Sequence, residues 1–130
     1  MPMPPTLRIA RPSTDLSRTT SQWAAWDLTL LTSFRDHAGF DGVILGAPNA
    51  PYHFEFTTGP HAIKPACTDE DLTVFYYADG DGEWDAACAR AVEKGWTRVR
   101  SSNPYWEENG ACFADADGYV VVAARMAWTL

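Results

Sequence analysis

The length, composition and charge of the chain exclude several classes of protein. A chain of 130 residues is long enough to bury one hydrophobic core, and we expect a single domain. The net charge of −7, with no run of lysines and arginines, removes the electrostatic driving force for binding a phosphate backbone, so nucleic acid is not an expected partner.

Cysteine usage and hydropathy predict a cytoplasmic location. Cys67, Cys88 and Cys112 are odd in number and widely spaced, and no pair has the spacing of a zinc site. No apolar run approaches the roughly 20 residues that a membrane-spanning helix needs. No apolar segment typical of a signal peptide follows Met1. We therefore expect a cytoplasmic protein with no membrane partner.

The first half of the chain predicts one helix and four strands. Residues 1–5 contain three prolines and should form a disordered arm. The alternation of Leu7–Arg11 then predicts a strand, and Ser13-Thr14-Asp15 offers N-cap side chains for a helix over residues 15–26. Turn residues separate three further strands, which are predicted at 29–34, 40–45 and 52–57.

The second half repeats this order after a linker, residues 59–70, that contains Gly59, Pro60 and Pro65. A strand at 72–77 precedes a helix that ends at Lys94-Gly95. Three more strands are predicted at 97–101, 111–115 and 119–126. The sequence thus predicts one α+β domain over residues 6–130, with βαβββ modules at 6–58 and 71–126 that form curled mixed β-sheets around a cavity.

The repeated order and two local motifs resemble the vicinal oxygen chelate superfamily of glyoxalases, bleomycin-resistance proteins and extradiol dioxygenases. The segment Phe113–Gly118 is similar to the Phe-x-Asp-Pro-Asp-Gly hairpin of that family, with Ala116 in place of the proline. Phe54-Glu55-Phe56 is similar to the Leu-Glu-Leu segment that ends the family's first module. The resemblance covers residues 6–126, and it implies a homodimer because many members complete their cavities across a two-fold contact.

The resemblance also implies four metal-ligand positions. Metal-dependent members place His, Gln or Glu on the first strand of each module and Glu or His on the last. The matching positions here are Arg8, Glu55, Leu72 or Thr73, and Val122. The permanently charged guanidinium of Arg8 would repel a divalent cation. We therefore predict no metal and no cofactor, and an Arg8–Glu55 pair where relatives hold the ion.

Histidines and aromatic residues complete the candidate ligand site. His53 alternates onto the face of Glu55, and His37 lies in a turn; each is more typical of a structural histidine than of a general base. Phe75 and Tyr77 are assigned to the cavity, and a register error of one residue would reverse this assignment. The predicted ligand-binding residues are Arg8, His37, Phe40, His53, Glu55, Phe75, Tyr77, Tyr105 and Trp106.

Tyr105 and Trp106 lie in a predicted loop, where two large rings are harder to bury against the protein's own core. They could stack on a ligand, or they could form a dimer contact.

Two functions from different classes remain open. The first is a metal-free binding protein for a small aromatic molecule, which sequesters an aromatic or polycyclic natural product as antibiotic self-resistance members do. The second is a glyoxalase-like lyase, isomerase or dioxygenase that acts on a small oxygenated substrate. The loss of the metal-ligand residues favours the first function, and we assign no residue a catalytic role.

Overall fold

The fold consists of two compact units, residues 1–65 and 66–130. The structure is a computed structural model that describes residues 3–60, 65–68, 70–78 and 82–130. Parts of the predicted arm and linker, residues 1–2, 61–64 and 69, lie outside the described residues. Each unit contains one four-stranded mixed sheet with the predicted βαβββ order, so the predicted fold class is confirmed.

The first unit is a sheet with strand order β1-β4-β3-β2. Strands β1 and β4 are parallel, and the other neighbours are antiparallel. The helix begins where the Asp15 side chain accepts a hydrogen bond from the Arg18 amide at 3.0 Å. It continues as a 3₁₀ turn at Ala24–Trp26. The elements are β1 (Leu7–Pro12), α1 (Leu16–Trp23), β2 (Thr29–His37), β3 (Phe40–Gly46) and β4 (Tyr52–Thr58).

The core of the first unit lies between α1 and its sheet. The fully buried Trp23 ring packs 5.2 Å from the Phe54 ring and 5.0 Å from the Phe56 ring, measured between centroids. Because side chains alternate along a strand, His53 and Glu55 of β4 point to the opposite side of the sheet. We call that side the helix-free face of the first sheet.

The second unit has the strand order β5-β8-β7-β6, again with one parallel pair, β5 and β8. Residues 104–109, predicted as loop, form a short helix instead. Its start could have been recognised, because Asn103 Oδ1 caps the Tyr105 amide at 3.0 Å and Pro104 occupies the first turn. The elements are β5 (Leu72–Tyr76), α2 (Glu83–Glu93), β6 (Thr97–Val99), α3 (Pro104–Asn109), β7 (Gly110–Ala114) and β8 (Val120–Ala124).

Strand register places Phe75 and Phe113 on one face of the second sheet. Arg98 lies over the Phe113 ring, with its Cζ atom 5.7 Å from the ring centroid. Phe113 pairs with Val121, and two residues further along the same face of β8 Ala123 pairs with Phe75. Phe75 therefore shares a face with Phe113, and its assignment to a cavity stays a prediction. An apolar strand lacks the alternation that would have decided this from sequence.

No helix of the described residues is long and apolar enough to cross a membrane.

The packing predicts that Trp23 is far more important for stability than a surface tryptophan. Trp23→Ala removes a fully buried ring and should lower the free energy of unfolding by about 3–5 kcal/mol. Urea denaturation followed by circular dichroism measures the change. The matched control is Trp128→Ala, at a position 61% exposed, which should change it by less than about 0.5 kcal/mol. Equal effects of the two substitutions would contradict the described core.

Candidate functional site

A hydrogen-bonded network on the helix-free face joins three of the predicted site residues. Arg8 Nε donates to His53 Nε2 at 2.9 Å, and Arg8 Nη1 donates to Glu55 Oε2 at 3.2 Å. The register explains this contact, because Arg8 pairs directly with His53 across the parallel β1–β4 ladder and Glu55 follows two residues later on the same face. The predicted contact between Arg8 and Glu55 is confirmed.

The network orients its side chains more than it stabilises the fold. The Arg8 side chain is 51% exposed and that of Glu55 is 18% exposed, and such a half-solvated pair contributes at most about 1 kcal/mol. Because His53 Nε2 accepts a hydrogen bond, it carries no proton in this arrangement, and the ring proton is on Nδ1. His53 and one oxygen of Glu55 are thus held by a single guanidinium.

A pocket of about 320 Å³ lies beside this network in the first unit. It is lined by Phe34, His37, Ala38, Phe40, Glu55 and Thr57. The structure therefore brings the predicted His37, Phe40 and Glu55 together. Phe34 was not predicted as a site residue, although its ring lies 5.9 Å from that of His37.

Two glycines allow the phenylalanine rings to lie close to the sheet. Phe34 of β2 pairs with Gly42 of β3, and a Cβ atom at Gly42 would lie 2.2 Å from Phe34 Cζ. A Cβ atom at Gly59 would lie 2.7 Å from the Phe40 ring. Both distances are far below any van der Waals contact, so each ring occupies space that a side chain would otherwise fill. The two glycines therefore let the rings lie against the backbone, where they line the pocket without filling it.

The turn between β2 and β3 positions His37 and Phe40 at the pocket. Asp36 and Ala38 have left-handed backbones, with φ of 48° and 53°, and this conformation costs about 1–2 kcal/mol for each L-residue. The Asp41 carboxylate accepts a hydrogen bond from the Asp36 amide at 2.8 Å and closes the turn. The strained turn therefore has its own polar support next to the site.

The four metal-ligand positions of the superfamily do not form a donor set for a divalent ion here. Arg8 fills one position and donates to Glu55 at the second. In the second unit Leu72 pairs with Val120 and so shares a face with Val122, which is fully buried. Among the described residues, no three His, Cys, Asp or Glu side chains cluster closely enough to hold a metal. The residues present do not fit the ion.

The remaining predicted aromatic residues lie in the second unit. The centroid of the Trp106 ring is 4.9 Å from that of Tyr105 and 6.5 Å from that of Tyr76. Tyr105 and Trp106 of α3 therefore form an aromatic cluster with Tyr76 of β5. Tyr105 Oη also donates to Met126 Sδ at 3.8 Å. The Tyr77 amide donates to the Ala124 carbonyl at 2.9 Å and extends the sheet by one residue.

The thiols of Cys88 and Cys112 are unsuited to nucleophilic chemistry. Burial raises the pKa of Cys88 to about 11, and the charge of Arg98 only partly opposes this effect. Burial likewise raises the pKa of Cys112. Both thiols are therefore protonated near neutral pH, whereas a reactive cysteine needs the thiolate.

The residues at the four metal-ligand positions predict that the purified protein binds no divalent ion tightly. Calorimetric titration with nickel, iron, zinc or manganese should show no stoichiometric site, because Arg8 places a permanent positive charge beside Glu55. Arg8→His is the matched variant, since it restores a ligand of the family's type at that position. A tight site in the unmodified protein that Glu55→Ala abolishes would contradict this interpretation.

Both halves of the chain match domains of one known protein family. Residues 7–57 match the YycE-like N-terminal domain, and residues 70–125 match the YycE-like C-terminal domain. The chain is 32% identical over 117 residues to the uncharacterized protein YycE of Bacillus subtilis, and the match covers 89% of this chain and 84% of that protein.

Solved structures agree with this assignment. A crystal structure of a YycE protein of unknown function from Bacillus subtilis matches with a TM-score of 0.78 and 31% identity, over 94% of this chain and 90% of that chain. TnmS3, an antibiotic binding protein from Streptomyces sp. CB03234, matches with a TM-score of 0.64 over 96% of this chain and 97% of that chain. Its identity of 19% shows a shared fold alone. The chain therefore belongs to the YycE-like family and has the vicinal oxygen chelate fold of the glyoxalase and bleomycin-resistance proteins.

Proposed function

We propose that this chain is a small-molecule-binding protein that sequesters an aromatic or polycyclic natural product without altering it. The observation that carries the proposal is the pocket of about 320 Å³ in which Phe34 and Phe40 lie beside Glu55. Ligand pockets typically combine an apolar lining with a few fixed polar groups. The two rings supply contact area, and Glu55, Arg8 and the two histidines His37 and His53 supply orientation.

The size of the pocket suits one small ring system. A volume of about 320 Å³ is at the lower end of the range of roughly 300–1,000 Å³ for ligand pockets. A polycyclic ligand would place one ring between Phe34 and Phe40 and extend along the face toward Arg8. TnmS3, which binds an antibiotic, has the same fold, and this likeness supports a binding role.

The hydrogen bonds and protonation states of the polar side chains favour ligand binding over catalysis. A general base needs an unoccupied lone pair within reach of the substrate. His53 Nε2 and Glu55 Oε2 instead accept hydrogen bonds from Arg8. The Cys88 and Cys112 thiols are protonated near neutral pH because burial raises the pKa of each. A lyase, isomerase or dioxygenase would have to displace Arg8 before His53 Nε2 could act as a base.

The proposal includes a cytoplasmic homodimer, as the resemblance to the superfamily implies. Leu30 and Leu31 lie on the edge strand β2 and are 52% and 39% exposed. Exposed apolar side chains on a long edge strand are a typical protein contact surface.

The proposal predicts that a bound aromatic natural product is recovered unchanged. A panel of such compounds is screened by native mass spectrometry, and the tightest binder is then titrated by tryptophan fluorescence quenching. Gly42→Ala should push the Phe34 ring into the pocket and weaken binding about tenfold, the equivalent of roughly 1.4 kcal/mol. Phe40→Leu, which removes one stacking ring, should have a similar effect.

The control for these two variants is Val92→Ala, at an exposed position on α2, which should leave the affinity unchanged. Chromatography of the released compound shows whether it has been converted. Recovery of a chemically altered product, or unchanged affinity in both pocket variants, would refute sequestration in this pocket.

A further inference from the structure

Only one of the two oxygens of the Glu55 carboxylate has a hydrogen-bond partner among the described residues. Its Oε2 atom accepts from Arg8 at 3.2 Å. Among the described residues, Oε1 has no hydrogen-bond partner, although the side chain is only 18% exposed. A carboxylate oxygen that accepts from no donor within the protein is open to a charged donor, and such charge-assisted hydrogen bonds are stronger than neutral ones. The pocket therefore contains an acceptor that a ligand can satisfy.

The surrounding surface also favours positive charge. Phe34 and Phe40 line the same pocket as Glu55, and the faces of aromatic rings attract cations through their quadrupoles. Arg8 does not line this pocket; its guanidinium contacts Glu55 through Oε2 and is half exposed to solvent, which screens its charge. The net charge of −7 also raises the local concentration of cations over that of anions.

We propose that the pocket selects an aromatic ligand that carries a protonated amine close to its ring. The ammonium group donates to Glu55 Oε1 and lies against the faces of Phe34 and Phe40, and the ring of the ligand fills the rest of the pocket. Arg8 acts as a positioning residue that fixes the Glu55 carboxylate. This inference rests on the proposed binding function and specifies the chemistry of its ligand.

Three probes that share one ring system test the inference by isothermal titration calorimetry. They are 1-naphthylmethylamine, which is a cation, 1-naphthalenemethanol, which is neutral, and 1-naphthoate, which is an anion. We expect the amine to bind about tenfold more tightly than the alcohol, as a charge-assisted hydrogen bond allows. Raising the salt concentration should weaken binding of the amine and leave that of the alcohol unchanged.

Variants assign the preference to Glu55. Glu55→Gln keeps the size of the side chain and an acceptor for Arg8 but removes the charge, so the amine should lose its advantage over the alcohol. Glu93→Gln, at an exposed position at the end of α2, removes the same charge elsewhere and should preserve the advantage. Phe40→Leu should weaken all three probes. Circular dichroism confirms that each variant is folded, and the salt dependence tests the unmodified protein alone.

The remaining outcomes separate this inference from the function on which it rests. Equal, salt-independent binding of the amine and the alcohol would overturn the amine preference while the pocket still binds aromatic molecules. Tighter binding of 1-naphthoate would overturn it in favour of an anion site at Arg8. If none of the probes binds the folded protein, the aromatic pocket itself is refuted, and the proposed function fails together with this inference.

Discussion

The guanidinium of Arg8 is the group on which the candidate site depends. It donates to His53 and to Glu55 at once, and the parallel pairing of β1 with β4 makes both contacts possible. Where the superfamily uses a divalent ion to gather side chains from several strands, this chain uses a planar cation that is part of the protein. A guanidinium satisfies neighbouring acceptors and leaves no vacant coordination position for substrate oxygens.

The positions of the aromatic rings in the site depend on two glycines and on a turn with left-handed backbone conformations. Gly42 and Gly59 leave room for the rings of Phe34 and Phe40, and the left-handed Asp36 and Ala38 turn the chain so that His37 and Phe40 flank the pocket. A larger hollow of about 590 Å³ beside α1 shares Phe34 with the pocket but lacks Phe40, His37 and Glu55. The chemistry of the lining, and not volume, singles out the smaller pocket.

The two units share one strand order but carry different side chains on corresponding faces of their sheets. In the first unit the helix-free face carries the polar network. In the second unit Val122, which takes the place of Glu55, is fully buried, and α3 adds the Tyr105–Trp106 aromatic cluster. A repeated βαβββ frame thus tolerates either a polar or an apolar face, because backbone hydrogen bonds and the α1 or α2 side of each sheet maintain the fold.

The sequence by itself determined the repeated element order, the resemblance to the vicinal oxygen chelate superfamily and the Arg8–Glu55 pair, because these depend on local periodicity, turn residues and a motif at known positions. It did not determine which face of the apolar strand 72–76 each side chain takes, nor did it identify Phe34 as a pocket residue. Both depend on register between strands that are distant in sequence. Only tertiary pairing places Phe34 opposite Gly42, since one residue of slip exchanges every side chain between the two faces.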